Sequence, residues 1–181
     1  MQVRVAEAAD LLLVPAVEEA ADRLFVELGI ADLPAPASAV ERAGAWRVLV
    51  AGRPPVGFAV LERVDGAVHL EQLSVDPAHG RQGVGGALVE AAVDAAREAG
   101  ADRVTLCTYA DVPWNGPFYA RHGFVELAEP SPGVAALLAH EVALGLDRHG
   151  RRTAMARAVR GPSGINHGAD RWRPGRPGRP M

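Results

Sequence analysis

The segment of this chain best suited to hold a charged ligand is His79-Gly80-Arg81-Gln82-Gly83-Val84-Gly85-Gly86-Ala87-Leu88. Glycines in such a run let successive backbone N–H groups turn toward one point with no Cβ in the way. A helix opening there adds the positive end of its dipole, and the product is an anion site sized for a phosphate or pyrophosphate. Arg81 adds a charge-assisted donor. The same glycines would equally serve a tight strand-to-helix turn, where they only permit close packing; their number does not separate the two. Two familiar phosphate loops do not fit. A Walker loop needs Gly-Lys-Ser/Thr, and all 19 basic residues are Arg, which also removes lysine Schiff-base chemistry. A dinucleotide fingerprint wants its turn after the first strand, with an acid roughly 20 residues on. Cys107 is the single cysteine, so an internal disulfide and a multi-cysteine metal site are excluded. It stands mid-strand without an adjacent Arg or His and reads as a small core residue. The histidines show no ligand spacing such as His-x-x-x-His, so no metal is expected.

A ligand loop of this kind needs elements to aim it. Val3–Val5 reads as a short strand, followed by one or two helices over 8–28 with Pro15 at a boundary or in a first turn. Ser38 and Glu41 form a capping box for a short helix to Ala43. Trp46–Ala51, Val56–Val64 and Val68–Val75 alternate or are β-rich; Gly52-Arg53-Pro54-Pro55 and Asp65-Gly66 turn them into an antiparallel meander. After Asp76-Pro77 the period becomes helical. Val84, Leu88, Ala91, Ala92, Ala95 and Ala99 share one face, Glu90, Asp94, Arg97 and Glu98 the other, and Gly100 ends the helix. Arg103–Thr108 is the next strand, which makes a βαβ crossover and a parallel pair. Trp114–His122 suits a short helix, Phe124–Leu127 and Arg152–Val159 suit last strands, and Val134–Leu146 suits an amphipathic helix between them. The order is mixed α/β, a meander before a crossover.

Composition narrows the function. With 49% apolar and 23% charged residues, the chain can bury a core as one domain over 1–159. The net charge of −3 hides an asymmetry: residues 160–181 carry five Arg against one Asp, leaving 14 Arg against 21 acids before them. A body that acidic is ill suited to grip nucleic acid. The tail from Gly161, with five Gly and four Pro, is expected to be a disordered, solvated extension that Trp172 alone does not anchor. No basic leader and no run near the roughly 18 apolar residues of a spanning helix is present, so a cytoplasmic protein is expected.

The arrangement resembles the GNAT superfamily of acyl-CoA-dependent N-acyltransferases. The resemblance rests on Leu73-Ser74-Val75-Asp76-Pro77, on Arg81 to Leu88, on Asp111-Val112-Pro113-Trp114-Asn115, and on Phe118-Tyr119-Ala120-Arg121-His122-Gly123-Phe124. It follows the order of elements over about residues 2–159 and is specific over 68–127. The family's loop has Gln or Arg at the place of Gly80, so the backbone share of the contact carries over and Arg81 substitutes for the missing side chain. The resemblance implies a mixed sheet whose central strands splay, with acetyl-CoA as donor and pantetheine in the wedge against the main chain of Leu73 and Val75. It further implies pyrophosphate on the N–H groups of Gln82, Gly83, Val84, Gly85 and Gly86, with the Leu73 N–H near the thioester carbonyl.

Acyl transfer to an amine needs a base for the ammonium, an oxyanion donor, and a proton for the departing thiolate. The resemblance implies Tyr119 as general acid, although its ring could simply pack with Phe118 and Phe124, and Asn115 as a pantetheine contact, although Asn also caps helices. Trp114 walls the acceptor pocket or packs the core. For the base, His69, Glu71 and Leu73 share a strand face by period two, with Glu71 favoured over His69 and over Glu62 on the neighbouring strand. The acceptor, a small-molecule or peptide amine, is expected between about Phe25 and Pro36, with Glu27 and Asp32 at hand, and the loop near Ser131–Gly133. A non-catalytic acyl-CoA sensor is the alternative. A membrane partner is not expected, and a homodimer is allowed for.

Overall fold

In the computed structural model, which describes residues 1–30 and 33–159, the alternating segments pair as a mixed sheet. Its strands are β1 (Val3–Val5), β2 (Arg47–Ala51), β3 (Gly57–Val64), β4 (Ala67–Val75), β5 (Arg103–Tyr109), β6 (Val125–Glu126) and β7 (Arg152–Ala158). The helices are α1 (Ala8–Leu11), α2 (Val14–Val26), α3 (Ala39–Ala43), α4 (Val84–Glu98), α5 (Gly116–Arg121) and α6 (Pro132–Ala143). Among the described residues the sheet runs β1-β2-β3-β4-β5-β7-β6. Every pairing is antiparallel except β4 with β5. The meander closes at Asp65-Gly66, both at positive φ (49° and 81°), as a two-residue hairpin turn requires. Strand β7, the last among the described residues, inserts between β5 and β6, an order not read from the sequence.

Two layers cover the sheet. On one face α4 lays Val84, Leu88, Val89, Ala92, Val93 and Ala96 on Leu61, Val68, Leu70, Val104 and Leu106. On the other, Val14 and Val17 of α2 pack on Val48, Val50, Phe58 and Val60. Each fully buried Leu, Val or Phe of these layers contributes about 1.5–3 kcal/mol. The Ser38–Glu41 capping box forms: the Glu41 N–H donates to Ser38 Oγ (3.3 Å) and the Ser38 N–H donates to Glu41 Oε2 (2.7 Å). Helix α6 is shorter than its apolar run suggested, because Gly145 at φ 79° ends it; it buries Val134 and leaves Val142 exposed. The expected tail, Trp172 included, lies outside the described residues, as does Asp32.

Candidate functional site

Strands β4 and β5 pair in parallel at Val68 with Val104 and His69 with Thr105, and no pairing continues beyond. From Leu70 on, the strands part. Their parted edges, the first turn of α4, α5 and the second half of α2 enclose a cleft of about 820 Å³. Of the site residues expected from the sequence, Leu73, Val75, Arg81, Gly83, Val84, Gly85, Gly86, Asn115 and Tyr119 line it. Gln82 is exposed and outside the lining, and Glu71 faces a different cavity.

The turn into α4 is built by two left-handed residues, Arg81 (φ 59°) and Gly83 (φ 81°). Gly83 is the N-cap and supplies no side chain to cap the helix. The first intrahelical bond runs from the Ala87 N–H to the Gly83 carbonyl (2.9 Å), so the amides of Val84, Gly85 and Gly86 have no acceptor within the helix. They are free to hold an anion at the positive end of a 15-residue helix. The packing role exists too, on different glycines. A Cβ on Gly85 would stand 3.2 Å from Phe118 Cζ, and one on Gly86 would stand 2.8 Å from His122 Cε1. Both let α5 lie close against the first turn of α4.

That approach carries Tyr119 into the cleft. Its ring meets Phe118 (centroids 5.1 Å) and Phe124 (5.7 Å) edge-on, and the residue is 7% exposed. The packing and cleft-lining roles therefore coexist. Its hydroxyl makes no hydrogen bond with a described residue. Burial pushes the phenol above its usual range, so it keeps its proton and presents an O–H. Asn115 is the N-cap residue of α5 but does not cap it with its side chain. Its Nδ2 donates to Thr108 Oγ1 (2.9 Å), while Oδ1 is buried without a partner among the described residues, as is the Trp114 Nε1–H. An orphaned acceptor and an orphaned donor in one wall are groups a ligand can satisfy.

The carboxylates depart from the sequence reading. Period two does not hold across β4, because the register with β3 passes from Val60–Gln72 to Leu61–Leu70 and Glu71 is the extra residue of a bulge. Leu70 and Leu73 consequently share the α4 face, and His69 does not lie on the side of Leu73. His69 is 4% exposed, with Nδ1 2.9 Å from Thr105 Oγ1, and burial pushes it down to about 4. It lines neither cavity. Glu71 faces a smaller cavity of about 330 Å³ with Arg42, Glu62 and Gln72. Burial and Glu62 push its carboxyl up, against the pull of Arg42. Beneath it Arg42 pairs with Glu18, and Gln72 Nε2 donates to Glu18 Oε1 (2.6 Å).

One acid in the cleft is not evident from the sequence: Asp22 on α2. Burial and the charges of Glu18 and Glu19 push it up to about 6. The only sign in the sequence is its position three residues before Phe25, on one helical face. The residues of the expected acceptor boundary fall in different places. Phe25 lines the cleft; Glu27 is exposed outside it. The Ser131–Gly133 loop is instead tied to the far end of β4, where the Gly133 N–H donates to Asp65 Oδ2 (2.6 Å). Cys107 is half-buried, and burial and Glu141 push its thiol up to about 12, so it is no nucleophile.

Known proteins share this frame. The ribosomal-protein-S18-alanine N-acetyltransferase of Escherichia coli is similar over 91% of this chain and 97% of its own, with a TM-score of 0.61 and 21% identity. The PaiA N-acetyltransferase of Thermoplasma acidophilum, in complex with coenzyme A, covers 87% and 99% with a TM-score of 0.63 and 12% identity. The yncA protein of Salmonella typhimurium, with its cofactor acetyl-CoA, covers 92% and 98% with a TM-score of 0.60 and 19% identity. No helix among the described residues is long and apolar enough to cross a membrane, and no cluster of His, Cys, Asp or Glu there could hold a metal ion. The profile of the GNAT acetyltransferase family matches residues 12–124, and the chain belongs to that family, an acetyl-CoA-dependent transferase of acetyl groups to amines.

Proposed function

We propose that the cleft binds acetyl-CoA with its pyrophosphate on the first turn of α4 and its thioester beside Leu73, and that a small-molecule or peptide amine attacks the carbonyl directly in the cytoplasm. The observation that carries this is one cleft holding both the uncapped α4 amides and the Tyr119 phenol. The amides of Gln82 to Gly86 and the Arg81 guanidinium hold the pyrophosphate. The main chain of Leu73 and Val75 and the orphaned Asn115 Oδ1 hold the pantetheine, whose amide N–H groups are fitting donors.

The amine must first lose a proton. Its nitrogen then forms a bond to the thioester carbon, and the resulting oxyanion takes the Leu73 N–H, a donor of a kind worth roughly 3 kcal/mol. The adduct's nitrogen gives up its second proton to water, the C–S bond breaks, and the thiolate takes the Tyr119 proton. Glu71, the base expected from the sequence, faces the smaller cavity, and a role for it requires a water to relay the proton.

Following free thiol with acetyl-CoA and a panel of primary amines tests the reading, alongside calorimetry of acetyl-CoA binding. Tyr119→Phe should lower turnover roughly ten- to a thousand-fold while leaving acetyl-CoA affinity in place; unchanged turnover removes Tyr119 from the chemistry. Glu71→Gln reads the base. Loss of the acid limb of the pH–rate profile assigns it to Glu71, and retention takes it away.

A further inference from the structure

The charges lining the cleft are segregated. Its arginines, Arg81 of the turn and Arg121 of α5, belong to the elements that meet where His122 packs on Gly86 of the first turn of α4. Its one carboxylate among the described residues is Asp22. Asp22 lies one helical turn before Phe25, whose ring meets Trp114 edge-on at the other end of α5 (centroids 5.8 Å). The same cleft is lined by Ala21, Leu24, Phe25, Pro113 and Trp114, apolar and aromatic residues that include the Trp114 Nε1–H, buried without a partner among the described residues.

We propose that Asp22 receives the acceptor's ammonium in this cleft and takes its proton, and that the acceptor is a primary amine on an apolar or aromatic body lying against Phe25 and Trp114. The inference rests on the acetyl-transfer reading above. A half-buried carboxylate without a hydrogen bond or ion pair to another described residue is costly unless something cationic arrives. An ammonium supplies that partner, and the aromatic faces add cation–π attraction.

The neighbours of Asp22 leave it able to do this. On its own helix stand Glu18, already paired with Arg42 and bonded by Gln72, and Glu19. The cleft it lines also holds Leu73 and Ser74 of β4, which do not titrate, and His79, Arg81, Tyr119, Arg121 and His122. None of these makes an ion pair with it. Burial and the two glutamates push Asp22 up to about 6, so it is ionised at neutral pH yet basic enough to accept a proton. Glu71 has no such position, since it faces the other cavity.

The step balances without a further reagent. An ammonium proton moves to the Asp22 carboxylate, and the freed nitrogen pair bonds to the thioester carbon. The tetrahedral adduct expels the thiolate, which takes the Tyr119 proton, while the adduct's nitrogen gives its second proton to water; water returns a proton to the Tyr119 phenolate, and the Asp22 carboxyl releases its own to solvent.

The test uses the full chain with saturating acetyl-CoA and 2-phenylethylamine or hexylamine as probes. Asp22→Asn should lower kcat/KM at neutral pH by a hundred-fold or more, and remove the limb near pH 6. Its residual rate should instead climb up to the pH at which the amine itself deprotonates. Acetyl-CoA affinity should stay within two-fold of the wild type, and Asp22→Glu should restore part of the rate. An Asp22→Asn enzyme with wild-type kcat/KM and an intact limb overturns the inference and leaves acetyl transfer standing. A wild type that binds acetyl-CoA but neither binds nor acetylates the probes at millimolar concentration overturns the proposed acceptor class. A wild type that binds no acetyl-CoA overturns the functional reading and this inference together.

Discussion

His69 should make the fold acid-sensitive, and a single substitution should remove that sensitivity. It occupies the last position at which β4 and β5 pair before they part, sharing a hydrogen bond with Thr105 Oγ1 (2.9 Å). Burial pushes its imidazole from the ordinary 6.5 to about 4. A group depressed in this way costs nothing above its unfolded value, because both states are then neutral. Below about pH 6.5 the unfolded chain binds a proton that the folded chain refuses, so stability falls as pH drops and levels off below about 4. The loss between pH 7 and 5 amounts to about 2 kcal/mol, and the full loss to about 3 kcal/mol. Urea unfolding of the wild type and of His69→Gln at pH 7, 6 and 5 reads the difference. Gln has no proton to bind in this range, so the variant should lose about 2 kcal/mol less than the wild type from pH 7 to 5, whatever its stability at pH 7. The comparison is of slopes, so carboxylates that titrate in both proteins drop out. Equal slopes would refute both the assigned ionisation and the view that this pair is held dry at the root of the cleft.

Three other outcomes are expected. Cys107 at about 12 is almost wholly protonated at pH 8, so a thiol reagent should modify it roughly a thousand-fold more slowly than an ordinary free cysteine, which a timed colorimetric titration measures. Gly116→Ala would drive a Cβ into the Ala110 carbonyl oxygen, a backbone atom with no room to yield. Thermal melting should fall by many degrees, and turnover should fall with it as α5 shifts Tyr119. Arg42→Leu would leave Glu18 without its cationic partner, costing about 3–5 kcal/mol in denaturant unfolding; a cost below 1 kcal/mol would show the pair to be solvated.

What could be read in the sequence was local. Asp65-Gly66 is legible because only residues tolerant of positive φ make that turn, and the Ser38–Glu41 cap because its partners lie three residues apart. The α4 face is legible because its period extends over four turns. Three features depend on distant partners and leave no local mark. The bulge at Glu71 exists only in the register with Val60 and Leu61, and it displaces His69 from the face that strict alternation would give it. Insertion of β7 beside β5 depends on which edge is free after the crossover. Asp22 looks like one acid among several on a surface helix; only the approach of α5 and β4 makes it the carboxylate of a cleft.

The glycine run shows why a count of glycines could not decide between anion binding and packing. Each role falls on separate positions, and neither is sufficient alone. Gly83 sets the left-handed turn that leaves three amides without helical acceptors, and a Cβ there would meet nothing within 4 Å, so packing does not require it. Gly85 and Gly86 follow two and three residues later, inside the first turn of α4, and have ordinary helical dihedrals; their missing side chains are needed because Phe118 and His122 occupy the space. A chain with glycine only at the first position would hold an anion but keep α5 away, and Tyr119 with it. A chain with glycine only at the later two would bring the phenol close to a turn that strains against its own backbone. Acetyl transfer needs the carrier's pyrophosphate and its sulfur fixed at once, one by the turn and the other beside α5. The spacing of glycines in this loop is therefore a distance constraint between two halves of one ligand, written into the packing of two helices.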